Sequence, residues 1–209
     1  LFDQNSISES ERNELRSKLN IYNEDCVFIF IGRQTKFKGY DNVIRAFMNI
    51  YHAKSKIHLL LIGDKDYIHE TGLNQTEESL LSQIPSIHQI GWSAHIENYL
   101  AIADVNVFPS EREGFPVNLL ESLSMGVPVI TIDSRGCKEI IEHYKNGIVI
   151  KNNKVSDLAL AMKQLNENIV LRNSLSKKGI EKRDDYDRKK YIKIQIDYYS
   201  QYLNDSNKA

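Results

Sequence analysis

The sequence lacks the patterns that mark several large classes of protein. It has only two cysteines, Cys26 and Cys137, which are too few for a disulfide framework and belong to no paired-cysteine redox or zinc motif. No apolar run approaches the roughly 18 residues that a membrane-spanning helix needs, and the polar residues 3–6 do not resemble a signal peptide. These absences predict a protein of the reducing cytoplasm.

The sequence also has no excess of charge of either sign. Its 27 basic and 28 acidic residues give a net charge of -1, so no global field would draw the protein to nucleic acid. The six histidines never stand at close metal-ligand spacing. The spaced acids Asp64 and Asp66 resemble a metal-binding pair, but a polar turn after a strand explains them better, and no metal is predicted.

Length and composition predict one folded domain. The 209 residues, 41% hydrophobic and 26% charged, are enough for one large core, and no flexible linker interrupts them. We expect a lead-in segment at residues 1–24, a core at residues 25–180, and a C-terminal helix and tail at residues 181–209. Because the chain begins with Leu1 instead of Met, we expect it to be a piece of a longer protein.

Short apolar runs that alternate with helical patterns predict an α/β fold. Residues 26–31 are continuously apolar, β-branched and aromatic and stop at Gly32, which is typical of a strand buried on both faces. The further predicted strands are residues 59–62, 87–90, 105–108, 129–132 and 148–150. Helical spacing occurs at residues 41–51, 77–84, 95–103 and 116–125 and from residue 155 onward, with a break expected at Gly179.

This alternation predicts a doubly wound, Rossmann-like parallel sheet of about six strands with helices on both faces. In such a sheet, ligands bind outside the carboxyl ends of the strands. The residues that directly follow each predicted strand are therefore the first candidates for a functional site.

The loop after the first predicted strand carries three cations between two glycines. Gly32 and Gly39 bracket Arg33, Lys36 and Lys38. Arginine offers a planar fork and lysine a mobile point charge, and both suit the oxygens of a diphosphate. On these residues alone, an anion site and an ordinary basic surface loop are equally good interpretations.

The segment after the fourth predicted strand joins a loop to the start of a helix. Pro116 suits the first helical position, which leaves the N–H groups near Gly114, Phe115 and Val117 free to point at hydroxyl or phosphate oxygens. The segment is therefore a candidate cradle for an anionic ligand.

Two acids, Glu113 and Glu121, flank that helix start with seven residues between them. A carboxylate can accept hydrogen bonds from two vicinal hydroxyls, so the pair could hold two different sugars of one nucleotide. Acids at this spacing are usually coincidental, however, and the pair alone does not establish a site.

Taken together, these motifs resemble the donor-binding half of glycosyltransferase family 4, which comprises retaining enzymes of the two-domain GT-B architecture. They occur in order over roughly residues 27 to 150. The motifs that carry the resemblance are Gly32-Arg33 through Lys38-Gly39, Gly63-Asp64, Gly91-Trp92, Ala103-Asp104 through Pro109-Ser110, the pair Glu113 and Glu121, and Met125 through Ile130. A weaker match at residues 132–139 resembles the bacterial polysaccharide and lipid-linked oligosaccharide branch, whose members commonly use UDP-linked hexoses or N-acetylhexosamines.

The resemblance implies a role for each matching residue. Arg33 and Lys38 would neutralise the donor diphosphate and stabilise charge on the departing nucleotide. Glu113 would contact the donor sugar, and Glu121 the ribose hydroxyls. The other donor-binding residues that it implies are Gly32, Trp92, Gly114, Phe115, Pro116 and Val117. Trp92 would lie near the base, although a packing role explains it equally well. No cofactor is implied beside the nucleotide-sugar donor.

The resemblance also implies a partner that the sequence does not contain. In this architecture a separate N-terminal domain supplies the acceptor site, and the final helix crosses back to it. Residues 187–203 are either this crossing helix or a helix packed on its own core. The expected reaction is transfer of a hexose or N-acetylhexosamine to a glycan or lipid-linked acceptor in surface polysaccharide synthesis. With a lipid-linked acceptor, peripheral contact with the inner membrane face would follow.

Other functions stay open at this point. A sugar phosphorylase or a UDP-sugar epimerase shares the two-domain architecture, and a non-catalytic nucleotide-binding module would need the same donor pocket. A dehydrogenase is disfavoured, because no Gly-x-Gly-x-x-Gly motif follows the first strand.

Overall fold

A computed structural model describes residues 2–3, 5–186 and 188–206. Six strands form one sheet: β1 (Cys26–Ile31), β2 (Ile57–Ile62), β3 (Ile87–Gly91), β4 (Val105–Phe108), β5 (Val129–Ile132) and β6 (Gly147–Ile150). Their order is β3-β2-β1-β4-β5-β6, and every neighbouring pair is parallel. The prediction of a parallel sheet of about six strands is confirmed.

Helices connect the strands, except that a non-helical segment joins β5 to β6, and they cover both faces of the sheet. The α-helices are α1 (Glu9–Lys18), α2 (Tyr40–Ile50), α3 (Gln75–Leu81), α4 (Ile96–Leu100), α5 (Val117–Ser124), α6 (Val155–Glu167), α7 (Ile169–Lys182) and α8 (Arg188–Ser206). Short 3-10 turns follow β1 at Lys36–Lys38 and α7 at Arg183–Tyr186.

The alternation of side chains along β1 divides the core into two layers. Phe28 and Phe30 point to one face, where they pack with buried side chains of α2, α3, α5, α6 and α7. Val27, Ile29 and Ile31 point to the other face, towards the smaller layer that α1 and α4 cover. All six residues of β1 are buried, as expected for a central strand of a doubly wound sheet.

Two details of the helices differ from the sequence prediction. Gly179 does not break the C-terminal helical run, because it lies inside α7, where a Cβ would stand 3.0 Å from Leu123 Cδ2; the glycine allows α7 to pack closely on α5. Pro116 precedes α5 instead of beginning it, since its ψ of 99° is extended, and the helix starts at Val117.

The two ends of the chain contribute helices of different character. Within the lead-in segment, α1 begins with a capping box between Ser8 and Glu11, and Arg16 attaches it to the domain by donating to the carbonyl of Ile102 at 3.1 Å. On α8, the apolar side chains for which exposure is described stand in solvent: Ile192, Ile194, Ile196, Tyr198 and Tyr199. None of the helices described here combines the length and the apolar character needed to cross a membrane.

Candidate functional site

The candidate site lies where the order of the strands reverses. From β1 the chain builds outward to β2 and β3, then returns to the other side of β1 with β4. The carboxyl ends of β1 and β4 are therefore neighbours, and the loops that follow them open a crevice between them. Ligands of doubly wound sheets bind in this crevice. The two candidate segments of the sequence meet here.

Lys38 and Glu113 form an ion pair across this crevice. Their side chains are only 16% and 11% exposed. Ser110 Oγ also donates to Glu113 Oε1 at 2.6 Å, so the carboxylate is held from two sides. Lys38 Nζ lies 5.6 Å from the centre of the Phe108 ring, at the end of β4. The two residues predicted to contact the diphosphate and the donor sugar are thus in direct contact.

Close backbone approaches hold the loops of the pair together. Gly39 has a φ of 74°, and a Cβ there would stand 2.5 Å from Pro109 Cγ, so only glycine brings the turn after β1 this close to the end of β4. Gly136, with a φ of 86°, lies so close to Glu113 that a Cβ would stand 2.9 Å from the Glu113 Cβ. The N–H of Glu111 donates to the carbonyl of Phe37 at 2.9 Å. Glu113 is therefore fixed by three segments of the chain.

Arg33 has a different carboxylate partner. Its Nη1 donates to Asp66 Oδ2 at 2.5 Å, and its guanidinium lies 5.5 Å from the centre of the Phe37 ring. The same Asp66 oxygen lies 3.1 Å from His69 Nδ1. The pKa of Asp66 is lowered, first by the hydrogen bond from the backbone of Ile68 and then by His69 and Arg33. Asp66 is therefore ionised at neutral pH and forms an ion pair with Arg33.

Glu121 stands half-buried on α5, and its carboxylate makes no hydrogen bond or ion pair with the described residues. Burial raises its pKa, and the neighbouring carboxylate of Glu97 raises it further. Asn118, one turn earlier on α5, donates from Nδ2 to the carbonyl of Ile31 at 2.9 Å and so attaches the helix to the end of β1. A partly desolvated carboxylate without a partner is suited to accept hydrogen bonds from a ligand.

The start of α5 presents free backbone donors beside Glu113. The N–H groups of Gly114, Phe115 and Val117 donate to no acceptor in the part of the chain that the structure describes. A Cβ at Gly114 would meet no atom within 4 Å, so this glycine borders open space. Phe115 and Val117 are exposed, whereas Pro116 is buried. This arrangement can hold the oxygens of an anionic ligand.

Trp92 lies on the β3 side of the sheet, apart from the pair. It follows β3, two strands from β1, which is about 10 Å at ordinary strand spacing. Trp92 is 71% exposed, so it does not pack in the core of the described residues, and its N–H donates to Asp64 Oδ1 at 3.0 Å. No group of three or more His, Cys, Asp or Glu side chains that could hold a metal occurs among the described residues.

The structure thus brings together most, but not all, of the predicted site. Lys38, Glu113 and the start of α5 form one cluster, with Gly32 at the end of β1, while Trp92 stands apart on the β3 side. Sequence reasoning assigned no role to Ser110, Asn118 and Asp66. Ser110 was visible only as part of a motif, and Asp66 was interpreted as a polar turn, because no local signal reveals a partner that is distant in the chain.

A family model matches most of the chain. The model described as "Glycosyl transferases group 1" matches residues 11–182, which include every candidate site residue. The match thus covers both the sheet and the loops at its carboxyl edge.

Curated relatives are similar along most of the chain. An N,N'-diacetylbacillosaminyl-diphospho-undecaprenol alpha-1,3-N-acetylgalactosaminyltransferase of Campylobacter jejuni is 31% identical over 191 residues, covering 89% of this chain and 48% of that protein. The capsular polysaccharide biosynthesis glycosyltransferase CapM of Staphylococcus aureus is 25% identical over 170 residues, covering 81% of this chain and 44% of that protein. The chain spans about half the length of the curated relatives it matches.

A solved structure shares the fold. The Anabaena protein HepE, solved in complex with UDP and glucose, superposes with a TM-score of 0.81 at 21% identity, covering 96% of this chain and 55% of that one. The fold, the family match and the aligned relatives agree, and the chain belongs to the group 1 glycosyl transferases.

Proposed function

We propose that this chain is the donor-binding domain of a retaining GT-B glycosyltransferase of family 4. The protein would transfer a hexose or N-acetylhexosamine from a UDP-sugar to a glycan or lipid-linked acceptor in surface polysaccharide synthesis. The observation that carries the proposal is the contact between Lys38 and Glu113 beside the free donors of α5.

The neighbourhood of Lys38 and Glu113 fits the order of groups in a nucleotide sugar. The donor sugar is joined directly to the second phosphate, so a cation for that phosphate and a carboxylate for the sugar hydroxyls must stand side by side. When the acceptor hydroxyl oxygen bonds to the anomeric carbon, the bond from that carbon to the phosphate oxygen breaks and UDP leaves with extra negative charge, while the hydroxyl proton passes to the departing phosphate. Lys38 and Arg33 would stabilise that charge, so no metal ion is required.

Glu121 supplies the ribose contact in this proposal. Its carboxylate is half-buried and has no partner among the described residues, and two vicinal hydroxyls would supply the hydrogen bonds that it lacks. A nucleotide whose ribose lies on Glu121 would direct its base towards the β3 side of the sheet, where Trp92 is exposed. Trp92 would then contact the base.

The similar proteins support the choice of donor and acceptor. HepE was solved with UDP and glucose, which favours a UDP-linked donor. The Campylobacter relative is an N-acetylgalactosaminyltransferase acting on a diphospho-undecaprenol-linked sugar, which favours an N-acetylhexosamine and a lipid-linked acceptor. Such an acceptor would bring the protein to the inner membrane face as a peripheral protein.

A second domain would complete the active site. The curated relatives are about twice as long as the part that this chain matches, and the side chains of α8 from Ile192 to Tyr199 remain exposed. We expect α8 to pack on an N-terminal acceptor domain. Closure of the two domains would exclude water, so this chain alone should bind the donor with little or no transfer.

Calorimetry with UDP, GDP and ADP tests the proposal on the chain itself. We expect UDP to bind and the other two to bind more weakly, because the base contact selects between them. The Lys38→Ala variant, which removes a proposed diphosphate contact, should bind UDP more weakly than the unsubstituted chain. Absence of heat with all three nucleotides would contradict a donor-binding role, and preference for GDP or ADP would contradict the choice of UDP.

A further inference from the structure

We propose that Asp66 is a positioning residue for the donor diphosphate, acting through Arg33. This inference rests on the proposed function, because it assigns the diphosphate to Arg33. It concerns a residue in the loop between β2 and α3, outside the segments that carry the family motifs.

Neighbouring residues fix the Asp66 side chain in its contact with Arg33. Asp66 is 8% exposed, and its second oxygen, Oδ1, accepts the N–H of Ile68 at 2.9 Å. His69, which stands 3.1 Å from the Oδ2 that Arg33 uses, packs its ring edgewise on Phe37 with the ring centres 5.2 Å apart. Asp66 therefore has little freedom to turn away from Arg33.

Backbone contacts attach the loop of Asp66 to the loop of Arg33. The N–H of Gln34 donates to the carbonyl of Asp64 at 2.9 Å, and the N–H of Lys36 donates to the carbonyl of Glu70 at 2.9 Å. These bonds lie on both sides of Asp66 in the chain. The carboxylate is thus fixed relative to the cationic loop by more than its own ion pair.

The rest of Arg33 remains available to a ligand. Its side chain is 58% exposed, and only Nη1 donates to a partner in the described part of the chain. Its guanidinium and Lys38 Nζ lie 5.5 and 5.8 Å from the centre of the same Phe37 ring. The two cations predicted to hold the diphosphate therefore converge on one ring.

Asp66 orients the Arg33 side chain before the ligand binds. Lys38 already pairs with Glu113, whereas Arg33 has Asp66 as its ion-pair partner, and a free arginine side chain loses rotamer entropy when it binds a phosphate. The fixed carboxylate holds the guanidinium in one orientation before the ligand arrives. This preorganisation favours ligands that carry the diphosphate and contributes nothing to the nucleoside.

The test compares UDP with uridine as ligands of the chain. We expect Asp66→Asn to weaken UDP binding about fivefold and to leave uridine binding unchanged, because only the phosphates contact Arg33. In an Arg33→Ala background, Asp66→Asn should have no further effect on UDP. The control is Asp133→Asn, which removes an exposed acid paired with Lys138 at the end of β5 and should change neither affinity.

Three results would overturn the inference: an unchanged or tighter UDP affinity in Asp66→Asn, an equal loss for UDP and uridine, or the same loss when Arg33 is absent. The second result would mean that Asp66 only maintains the local fold. If the unsubstituted chain binds no UDP, the proposed function itself fails, and that result is seen before any variant is made.

Discussion

Lys38 and Glu113 are 75 residues apart in the chain, yet they pair where the strand order of the sheet reverses. The pair joins the cationic loop after β1 to the acidic segment after β4. In the proposed donor site, the phosphate bound by Lys38 and the sugar bound by Glu113 would be direct neighbours, as they are in a nucleotide sugar.

Loss of Lys38 should damage catalysis far more than folding. In the protein joined to its acceptor domain, we expect Lys38→Ala to reduce turnover about a hundredfold or more, because a preorganised charge at the departing phosphate is removed. Glu113 would keep its hydrogen bond from Ser110, so the loop should stay in place. The measurement is kcat with a UDP-sugar and acceptor. Lys36→Ala, an exposed cation of the same turn, is the control, and equal effects of the two variants would contradict the assignment.

The Glu121 carboxylate should lower the free energy of unfolding at neutral pH and should recognise the ribose of the donor. Because its folded pKa is raised, the ionised carboxylate is less favourable in the folded than in the unfolded protein at neutral pH, and stability is lost as pH rises through that pKa. We therefore expect Glu121→Gln to raise the melting temperature at pH 7. It should also abolish the preference for UDP over 2'-deoxy-UDP in calorimetry.

Glu111→Gln is the control for Glu121, since Glu111 is an exposed acid in the same segment. It should leave both the melting temperature and the ribose preference unchanged. A Glu121→Gln variant that still distinguishes UDP from 2'-deoxy-UDP would show that the ribose binds elsewhere.

Gly114 and Gly136 should respond to alanine in opposite ways. A Cβ at Gly114 meets no protein atom within 4 Å, so Gly114→Ala should keep the free energy of unfolding but weaken UDP binding, because the methyl group projects towards the ligand. Gly136 has a φ of 86° and lies against Glu113, so Gly136→Ala should destabilise the fold by about 1 kcal/mol or more. Urea unfolding and calorimetry separate the two effects. Full UDP affinity in Gly114→Ala would place the donor away from α5.

A histidine pair at the opposite edge of the sheet, with His58 buried and His88 half-buried, should make the free energy of unfolding depend on pH. His58 Nδ1 lies 3.0 Å from His88 Nε2, and its own Nε2 lies 3.2 Å from Asp25 Oδ2. Burial, and then His58, lowers the pKa of His88 from its ordinary 6.5 to about 4. The unfolded chain therefore binds more protons between these values, and the free energy of unfolding should fall as pH drops from 6.5 to 4.

Urea unfolding at several pH values between 7 and 4 measures this dependence. His88→Gln should flatten the profile, whereas His52→Gln, at an exposed position, should leave it unchanged. A profile that is equally steep in His88→Gln would mean that other groups cause the acid destabilisation.

Much of the fold could be predicted because buried parallel strands have an unmistakable local signature. The runs at Cys26–Ile31, Val105–Phe108 and Val129–Ile132 were predicted with their observed bounds, since each is apolar throughout and flanked by polar or turn residues. Elements that depend on tertiary packing were predicted less well. Helix α1 is polar apart from Leu15, and the position of Gly179 inside α7 depends on Leu123, more than 50 residues away.

The sequence named the residues of the candidate site, whose roles stay predictions, but it did not reveal the contacts between them. The motifs identified Lys38 and Glu113, and the rule that ligands bind at the carboxyl ends of strands placed them at one edge. Their pairing depends on β4 returning beside β1, which no local pattern encodes. The contact of Asp66 with Arg33 could not be predicted for the same reason, because the two residues are 33 positions apart in the chain.

The most direct test of the account is a crystal structure of the chain with a UDP-hexose. We predict that the diphosphate lies between Arg33 and Lys38, that the ribose hydroxyls donate to Glu121, and that the hexose contacts Glu113. A donor bound elsewhere on the domain, or in the crevice with its diphosphate away from both cations, would contradict the account.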